Sequence, residues 1–292
     1  EVVVLELAAR RQGDIEYLCS IAQPTFGVLL NIGSAHLEYF ESLEGVAKAK
    51  GELLEYLDES LIALINADDR VVCQEVQRTK GRLLTFGFQS ESIFRGEGLI
   101  LDQESCGHFL FRGFEIDLGI PGGHNAYNAL AALSVGVQLG VNIQDAARVL
   151  SNFQAIEQRS QIIDAAGITI INDCYNANPE SMRAALDILL NKLGQRKIAL
   201  LGDMLELGPD SKRYHEELGR YVAPMVDELL TIGTMGKYIA TSAMGVGLSK
   251  TFHFDNFDSV VKYLKNTLVK GDTILVKASQ GMGLRRVVDS IL

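Results

Sequence analysis

Of the 292 residues in this chain 47% are hydrophobic, and 37 acidic side chains outnumber 27 basic ones for a formal net charge of −10. That length suits about two domains of ~100–200 residues with real apolar cores, and the negative balance argues against nucleic acid or an anionic membrane and for a small-molecule partner, with a local basic pocket still able to hold a phosphate. The apolar runs fall far short of the ~20 residues that span a bilayer, no charged-then-apolar leader opens the chain, and Cys19, Cys73, Cys106 and Cys174 form no CxxC pair, so a membrane span, a zinc site and a disulfide framework are disfavoured and the cytoplasm is the default compartment.

The chain begins at Glu1, without methionine, directly inside the apolar run EVVVLEL, and reads as a piece cut from something longer. VVVLEL and FGVLLNIG are short β-branched runs, each followed by polar residues and a helical pattern, the alternation expected of a parallel sheet. After AKAKGELLEYL come LIALINADD and RLLTFGF. SIFRGEGLILD and HFLFRGFEIDLGIPGG then alternate with turn residues at hairpin spacing and predict a small antiparallel patch. Two helices, NAYNALAALSVGVQLG with Asn125 as N-cap and Gly140 as stop, and IQDAARVLSNF, close a first domain over residues 1–156. A second domain, 157–292, restarts the pattern with GITIIND, PESMRAALDILLNKL, KIALLGD, SKRYHEELGRYVA, ELLTIG, NFDSVVKYLKNTLVKG and DTILVKA. Strands alternating with helices predict an α/β fold with a Rossmann-like parallel sheet and right-handed crossovers. The join around residues 154–160 is expected to act as a hinge.

The stretch DCYNANPESMRAAL, residues 173–186, holds the densest polar cluster at a strand end. Met182, Ala185, Leu186, Leu189, Leu190 and Leu193 recur at helical spacing behind it, with Asn178 as N-cap and Pro179 at the first helical position. DCYNAN is therefore the loop leaving the carboxyl end of a strand, where open α/β sheets bind ligands and a helix N-terminus offers free N–H groups to anions. Turn and cap geometry alone would also account for Asn176 and Asn178. Asp173, Tyr175, Asn176 and Asn178 packed together favour a nucleotide or substrate contact.

DCYNANPESMRAAL followed by LGDMLELGPDSKRYHEELG closely resembles the carboxy-terminal domain of the Mur ligases, in particular the branch that adds D-alanyl-D-alanine to UDP-N-acetylmuramoyl-tripeptide. LELAARRQGDI, NIGSAHLEYFESLEGVAKAKGELLE, PGGHNAYNALAA and VKASQGMGLRRVV look like that family's successive motifs in their usual order, so the resemblance covers nearly the whole chain. It implies a P-loop-type central domain followed by the Rossmann-like one. It also implies a monomeric, cytoplasmic amide-bond ligase of peptidoglycan precursor synthesis that uses ATP and Mg2+. Its partners would be UDP-N-acetylmuramoyl-tripeptide and D-alanyl-D-alanine, with no nucleic acid and no membrane insertion. In such ligases ATP phosphorylates a substrate carboxylate and the incoming amine attacks the acyl phosphate, chemistry that rests on positioning and charge neutralisation.

The resemblance assigns roles residue by residue. Glu6 matches an acidic magnesium ligand, and His36 in GSAHLE a second metal or phosphate contact. Lys50 in AKAKGE matches a lysine that several Mur ligases carry as a carbamate, which needs an amine whose pKa is lowered by burial or neighbours. Lys48 reads as an exposed helix lysine. Asn125 and Asn128 match residues near the adenine, where amides can read a purine edge. Arg159 matches an arginine reaching ATP phosphates, and Asp173 the acid of the nucleotide-facing loop. Asn176, Asn178, Lys277 and Ser279 would face substrate.

Departures from the family pattern are equally legible. Glu157 and Gln158 stand where the family usually has Pro-Gly before the arginine, and Ala278 and Gln280 replace the glycine and arginine of the usual Lys-Gly-Ser-Arg. No G-x-x-x-x-G-K-S/T loop occurs anywhere. The resemblance implies that this loop and an amino-terminal domain holding the UDP-sugar precede residue 1, so that the chain alone is expected to be inactive. A naturally truncated homologue stays open, as do a folylpolyglutamate or cyanophycin synthetase-like ligase and a nucleotide- or partner-binding module that kept the fold and lost the chemistry.

Overall fold

A computed structural model describes every residue except Ala35. The chain divides into two compact units, one made of Glu1–Ile100, His108–Leu118 and His124–Asn152, the other of Leu101–Gly107, Gly119–Gly123 and Phe153–Leu292. Among the described residues no helix is long and apolar enough to cross a membrane.

Residues 1–152, which hold the whole of the first unit, run α1 (Asp14–Ala22), β1 (Phe26–Leu29), α2 (Leu37–Phe40), α3 (Leu43–Tyr56), β2 (Ile62–Asn66), α4 (Arg70–Glu75), β3 (Arg82–Gly87), β4 (Phe94–Leu101), β5 (Cys106–Phe111), β6 (Phe114–Pro121), α5 (Gly123–Gln138) and α6 (Ile143–Ser151). Their six strands lie in the order β1–β2–β3–β4–β5–β6, parallel from β1 to β4. Arg112 and Gly113, at φ 51° and 81°, form the two-residue connection between β5 and β6. Positive φ at both central residues matches the twist of an antiparallel pair, so the expected hairpin is present. Helix starts are capped locally: Ser42 Oγ accepts from Gly45 N at the head of α3, and Asp69 Oδ1 accepts from Val71 N and Val72 N at the head of α4.

Two sequence expectations fail here. Residues 1–9 carry no strand, and Val2, Val3, Val4 and Leu5 are 59–88% exposed. A β-branched run becomes a strand only when neighbouring backbone takes up its N–H and C=O groups, and among the described residues β1, the nearest strand in sequence, pairs with β2 alone. Asn125 is not an N-cap, because α5 already begins at Gly123.

The second unit runs β7 (Gln161–Ala165), β8 (Ile168–Asp173), α7 (Pro179–Asn191), β9 (Arg196–Leu201), α8 (Ser211–Val222), β10 (Glu228–Ile232), α9 (Gly236–Gly245), β11 (Thr251–Phe254), α10 (Phe257–Thr267), β12 (Asp272–Lys277) and α11 (Arg285–Ile291). The sheet order is β11–β10–β9–β12–β8–β7, parallel throughout except for β7. Strand periodicity splits the core between its faces. Ile171, Ala199, Leu201, Leu229 and Leu275 pack with Met182, Leu186, Leu218 and Ile239. Ile170, Ile198, Leu200, Leu230 and Ile274 pack with Val260, Leu264, Val287 and Val288 on the other side. Coverage of both faces buries every residue of β10 and β12, whose centres carry the consecutive apolar residues Leu229–Leu230 and Ile274–Leu275–Val276.

The two ends of this sheet differ in chemistry. At the amino end Arg196 pairs with Glu228 at 3.1 Å and Asp272 at 2.6 Å, both carboxylates being almost fully buried. At the carboxyl end the register sets Asp173 opposite Lys277 and Lys277 opposite Leu201, so that the loops leaving β8, β12 and β9 lie side by side.

Candidate active site

Those loops are stitched together by side chains. Lys277, 1% exposed, donates from Nζ to Asp173 Oδ2 at 2.7 Å and to the Asn176 carbonyl at 2.7 Å. The other carboxylate oxygen of Asp173 accepts from Ser160 N at 2.9 Å. Ser279 Oγ accepts from Leu205 N at 2.9 Å and donates to the Ala177 carbonyl at 3.3 Å, which joins the β12, β9 and β8 loops. Asn178 caps α7 by accepting from Ser181 N while Ser181 Oγ accepts from Asn178 N, and Asn176 Oδ1 accepts from Ala177 N. The cap, with Pro179 behind it, is as the sequence reading has it. Asp173, Asn176, Lys277 and Ser279 thus form one network in which Lys277 and Asp173 order the loop through each other.

Arg159 stands over Tyr175, its guanidinium carbon 4.0 Å from the ring centroid, and Tyr175 N donates to the Gln158 carbonyl at 3.1 Å. Gln158 and Ser160 on either side are left-handed, at φ 64° and 49°. Side chains with a Cβ adopt this region at a cost of about 1 kcal/mol each, which gives a physical reason for the glycine that the family usually places just before the arginine. The segment is held in this shape by its bonds to Asp173 and Tyr175.

Two contributors to this edge, Asp203 and His215, escaped the sequence reading. Asp203, the second residue of GDMLELG, accepts on Oδ1 from Met235 N at 3.0 Å and Gly236 N at 2.7 Å, tying the β9 loop to the head of α9. His215, fully buried on α8, accepts on Nε2 from Met204 N at 2.9 Å. Tyr175 was read within the polar cluster that favours a nucleotide or substrate contact, without its place under Arg159. The available signal for Asp203 was its place directly after a strand, whereas His215 sits in an ordinary amphipathic helix pattern and gives none.

In the first unit Lys50 lies half-buried on α3 while Lys48 is exposed. Burial lowers the Lys50 pKa below its ordinary value, and the charge of Glu6 opposes that shift, so the two groups sense each other although Glu6 is exposed. His36 sits half-buried at φ 58° just before α2, and its carbonyl accepts from Tyr39 N and Phe40 N. Among the described residues no group of three or more His, Cys, Asp or Glu side chains could hold a metal ion.

Asn125 and Asn128 are adjacent on α5, with Asn128 Nδ2 donating to Asn125 Oδ1 at 3.1 Å. Between them Tyr127 donates its hydroxyl to Asp68 Oδ2 at 3.1 Å, and Asp68 also accepts from the amides of Phe88, Gln89 and Ser90. Burial raises the Asp68 pKa, but those three amides outweigh it and the net shift is downward; Tyr127, buried beside that charge, is pushed up to about 12. A carboxylate so held anchors α5 and with it the two asparagines.

The Mur ligase middle domain matches residues 1–136, and the Mur ligase glutamate ligase domain matches residues 158–280. Over its whole length the chain is 34% identical to the UDP-N-acetylmuramoyl-tripeptide–D-alanyl-D-alanine ligase of Bacillus subtilis and 32% identical to that of Mycobacterium tuberculosis. It spans 64% and 62% of those proteins. MurF of Acinetobacter baumannii superposes with a TM-score of 0.86 at 28% identity, over 97% of this chain and 63% of that one. The MurF ligase of Thermotoga maritima, solved in complex with ADP, gives 0.84 at 31% identity, over 98% of this chain and 65% of that one. With two family domains matched in succession and the folds of both units shared with these structures, the chain belongs to the Mur ligase family.

Proposed function

We propose that this protein takes part in peptidoglycan precursor synthesis as an ATP-dependent ligase that joins D-alanyl-D-alanine to UDP-N-acetylmuramoyl-tripeptide. The carrying observation is the stitched carboxyl edge of the second sheet, with Arg159 held over Tyr175, in a chain about a third identical over its full length to ligases of that name. The γ-phosphoryl group of ATP passes to the terminal carboxylate of the tripeptide and ADP leaves. The dipeptide amine then attacks the carbonyl carbon, and the tetrahedral intermediate collapses with loss of phosphate and a proton. Binding and charge neutralisation dominate such a reaction. Arg159 serves as the phosphate contact, its planar fork suited to bidentate binding and its orientation set by Tyr175. Asn125 and Asn128, fixed on α5, face the adenine. Asp173 and Lys277 keep the β8 and β12 loops in register beneath the substrate, and Ser279, Asn176 and Asn178 shape that surface.

The donor set fits a phosphate-bound magnesium ion. Magnesium retains several waters and takes one or two carboxylates plus substrate phosphates, so a cage of three protein carboxylates is not required. Glu6 would supply one carboxylate and His36 a further contact. The partly buried, lowered amine of Lys50 is suited to carbamylation, which would turn it into a second carboxylate. When bound, the ion would neutralise phosphate charge.

Mass spectrometry tests the reading. The protein carrying this chain, given magnesium-ATP, the UDP-tripeptide and D-alanyl-D-alanine, should form the UDP-pentapeptide with one phosphate released per bond. ATP binding without any dipeptide-dependent product would instead identify a nucleotide-binding module.

A further inference from the structure

His215 belongs to no step described so far, yet its environment is specific. The ring is completely buried, and each nitrogen has one partner. Nδ1 lies 2.6 Å from the Ser211 carbonyl, one turn back in the same helix, and Nε2 lies 2.9 Å from Met204 N. A carbonyl only accepts, so Nδ1 carries the proton and Nε2 is left bare to accept from the Met204 amide. Met204 belongs to the loop leaving the central strand β9. That loop is pinned at three further points: Asp203 to the head of α9, the Asp203 carbonyl to Ser279 N at 3.1 Å, and Leu205 N to Ser279 Oγ. Glu206, the next residue, has φ 62°, and the Leu205 side chain is 42% exposed at the sheet's ligand-binding edge, while Met204 and Leu207 are buried.

We propose that His215 is a positioning residue that acts through Met204 N–H to fix loop 203–207, and that the exposed Leu205 of this loop forms part of the apolar seat for the methyl groups of the dipeptide amine substrate. The assignment of substrate rests on the ligase reading above; the hold on the loop does not. The rigid ring spans a helix carbonyl and a loop amide with one donor and one acceptor, and a hydrocarbon in its place leaves the buried Met204 N–H without a partner.

Three measurements on the protein carrying this chain test this. Ring nitrogen NMR at neutral pH should show Nδ1 protonated and Nε2 bare; a proton on Nε2 overturns the proposal, and no variant is needed to see it. Amide exchange at Met204 and Leu205 should accelerate about 10- to 100-fold in His215→Leu and return to within a few-fold of the parent in His215→Gln, whose side-chain oxygen can accept. Exchange unchanged in the leucine variant overturns the proposal, as does a glutamine variant that folds but rescues nothing. Calorimetry with D-alanyl-D-alanine should show about 10-fold weaker binding to His215→Leu with ADP affinity unchanged. A loosened loop with undiminished dipeptide affinity overturns the seat assigned to Leu205. Failure of the parent protein to bind dipeptide, with ring and exchange results as expected, counts against the ligase reading and leaves the hold of His215 on the loop supported.

Discussion

The guanidinium of Arg159 rests 4.0 Å from the ring centroid of Tyr175, while the backbone of Tyr175 donates to the residue just before that arginine. Tyr175 therefore contacts, by its ring, the guanidinium of the arginine assigned to ATP phosphates and, by its backbone, the residue that precedes it. Tyr175→Ala should weaken ATP binding about 3- to 10-fold, as loss of a cation–π contact of ~0.5–1.5 kcal/mol predicts, with Tyr175→Phe close to the parent. Titration of nucleotide against each variant checks this, and equal losses for both would implicate the hydroxyl instead of the ring.

A contrasting outcome is expected at the far end of the same sheet. Arg196 compensates Glu228 and Asp272, whose side chains are 4% and 1% exposed. Arg196→Ala leaves two buried carboxylates facing each other and should cost about 3–5 kcal/mol in denaturant unfolding. Because this cluster lies opposite the stitched loops, dipeptide affinity of whatever fraction stays folded should be unchanged.

Lys50 and Lys48 allow the lysine proposed for the metal site to be compared with its helical neighbour. Lys50→Ala should abolish most ligase activity, and the parent incubated with carbon-13 bicarbonate should show a carbamate resonance that this variant lacks. Lys48→Ala should stay within ~0.5 kcal/mol in stability and near parental activity, as exposed substitutions usually do.

Acid should weaken the second unit through His215. Burial, the dominant influence, lowers its pKa below 6.5, against smaller opposing effects from the Ser211 carbonyl and the Asp203 charge. The unfolded chain thus takes up this proton at a higher pH than the folded one. The stability contribution is fully present above pH ~6.5 and is lost as pH falls from there through the lower folded value. Urea midpoints measured across that window should fall for the parent, and the His215-specific part of the slope should be missing in His215→Gln.

No G-x-x-x-x-G-K-S/T sequence, the pattern that supplies both a backbone cradle and a lysine for the β- and γ-phosphates, occurs in residues 1–292. Peptide consisting of these residues alone should bind magnesium-ATP only at about millimolar strength, corresponding to ~4 kcal/mol, and should hydrolyse it poorly. Calorimetry giving a micromolar constant would reveal a phosphate site that the sequence reading lacks.

What the sequence determined by itself was whatever depends on neighbours within a few residues or on burial of a whole element. The Asn178 cap, Pro179 and the apolar stripe behind them specify α7 through contacts three and four residues apart, and β8, β9, β10 and β12 announce themselves because both faces are covered. The edge strands β7 and β11 were missed, since one-sided burial leaves a weaker pattern in four or five residues. VVVLEL looked like a strand yet forms none, because ladder partners are not encoded in the run itself. Motif order pointed to Asp173, Lys277 and Ser279, but only the tertiary structure decided that Lys277 spends its charge on an aspartate 104 residues away and that Ser279 bridges two other loops. It likewise decided that a histidine indistinguishable from its helical neighbours holds the β9 loop. Such contacts arise when parallel crossovers bring distant strand ends to one edge, and no local spacing in the chain records that meeting.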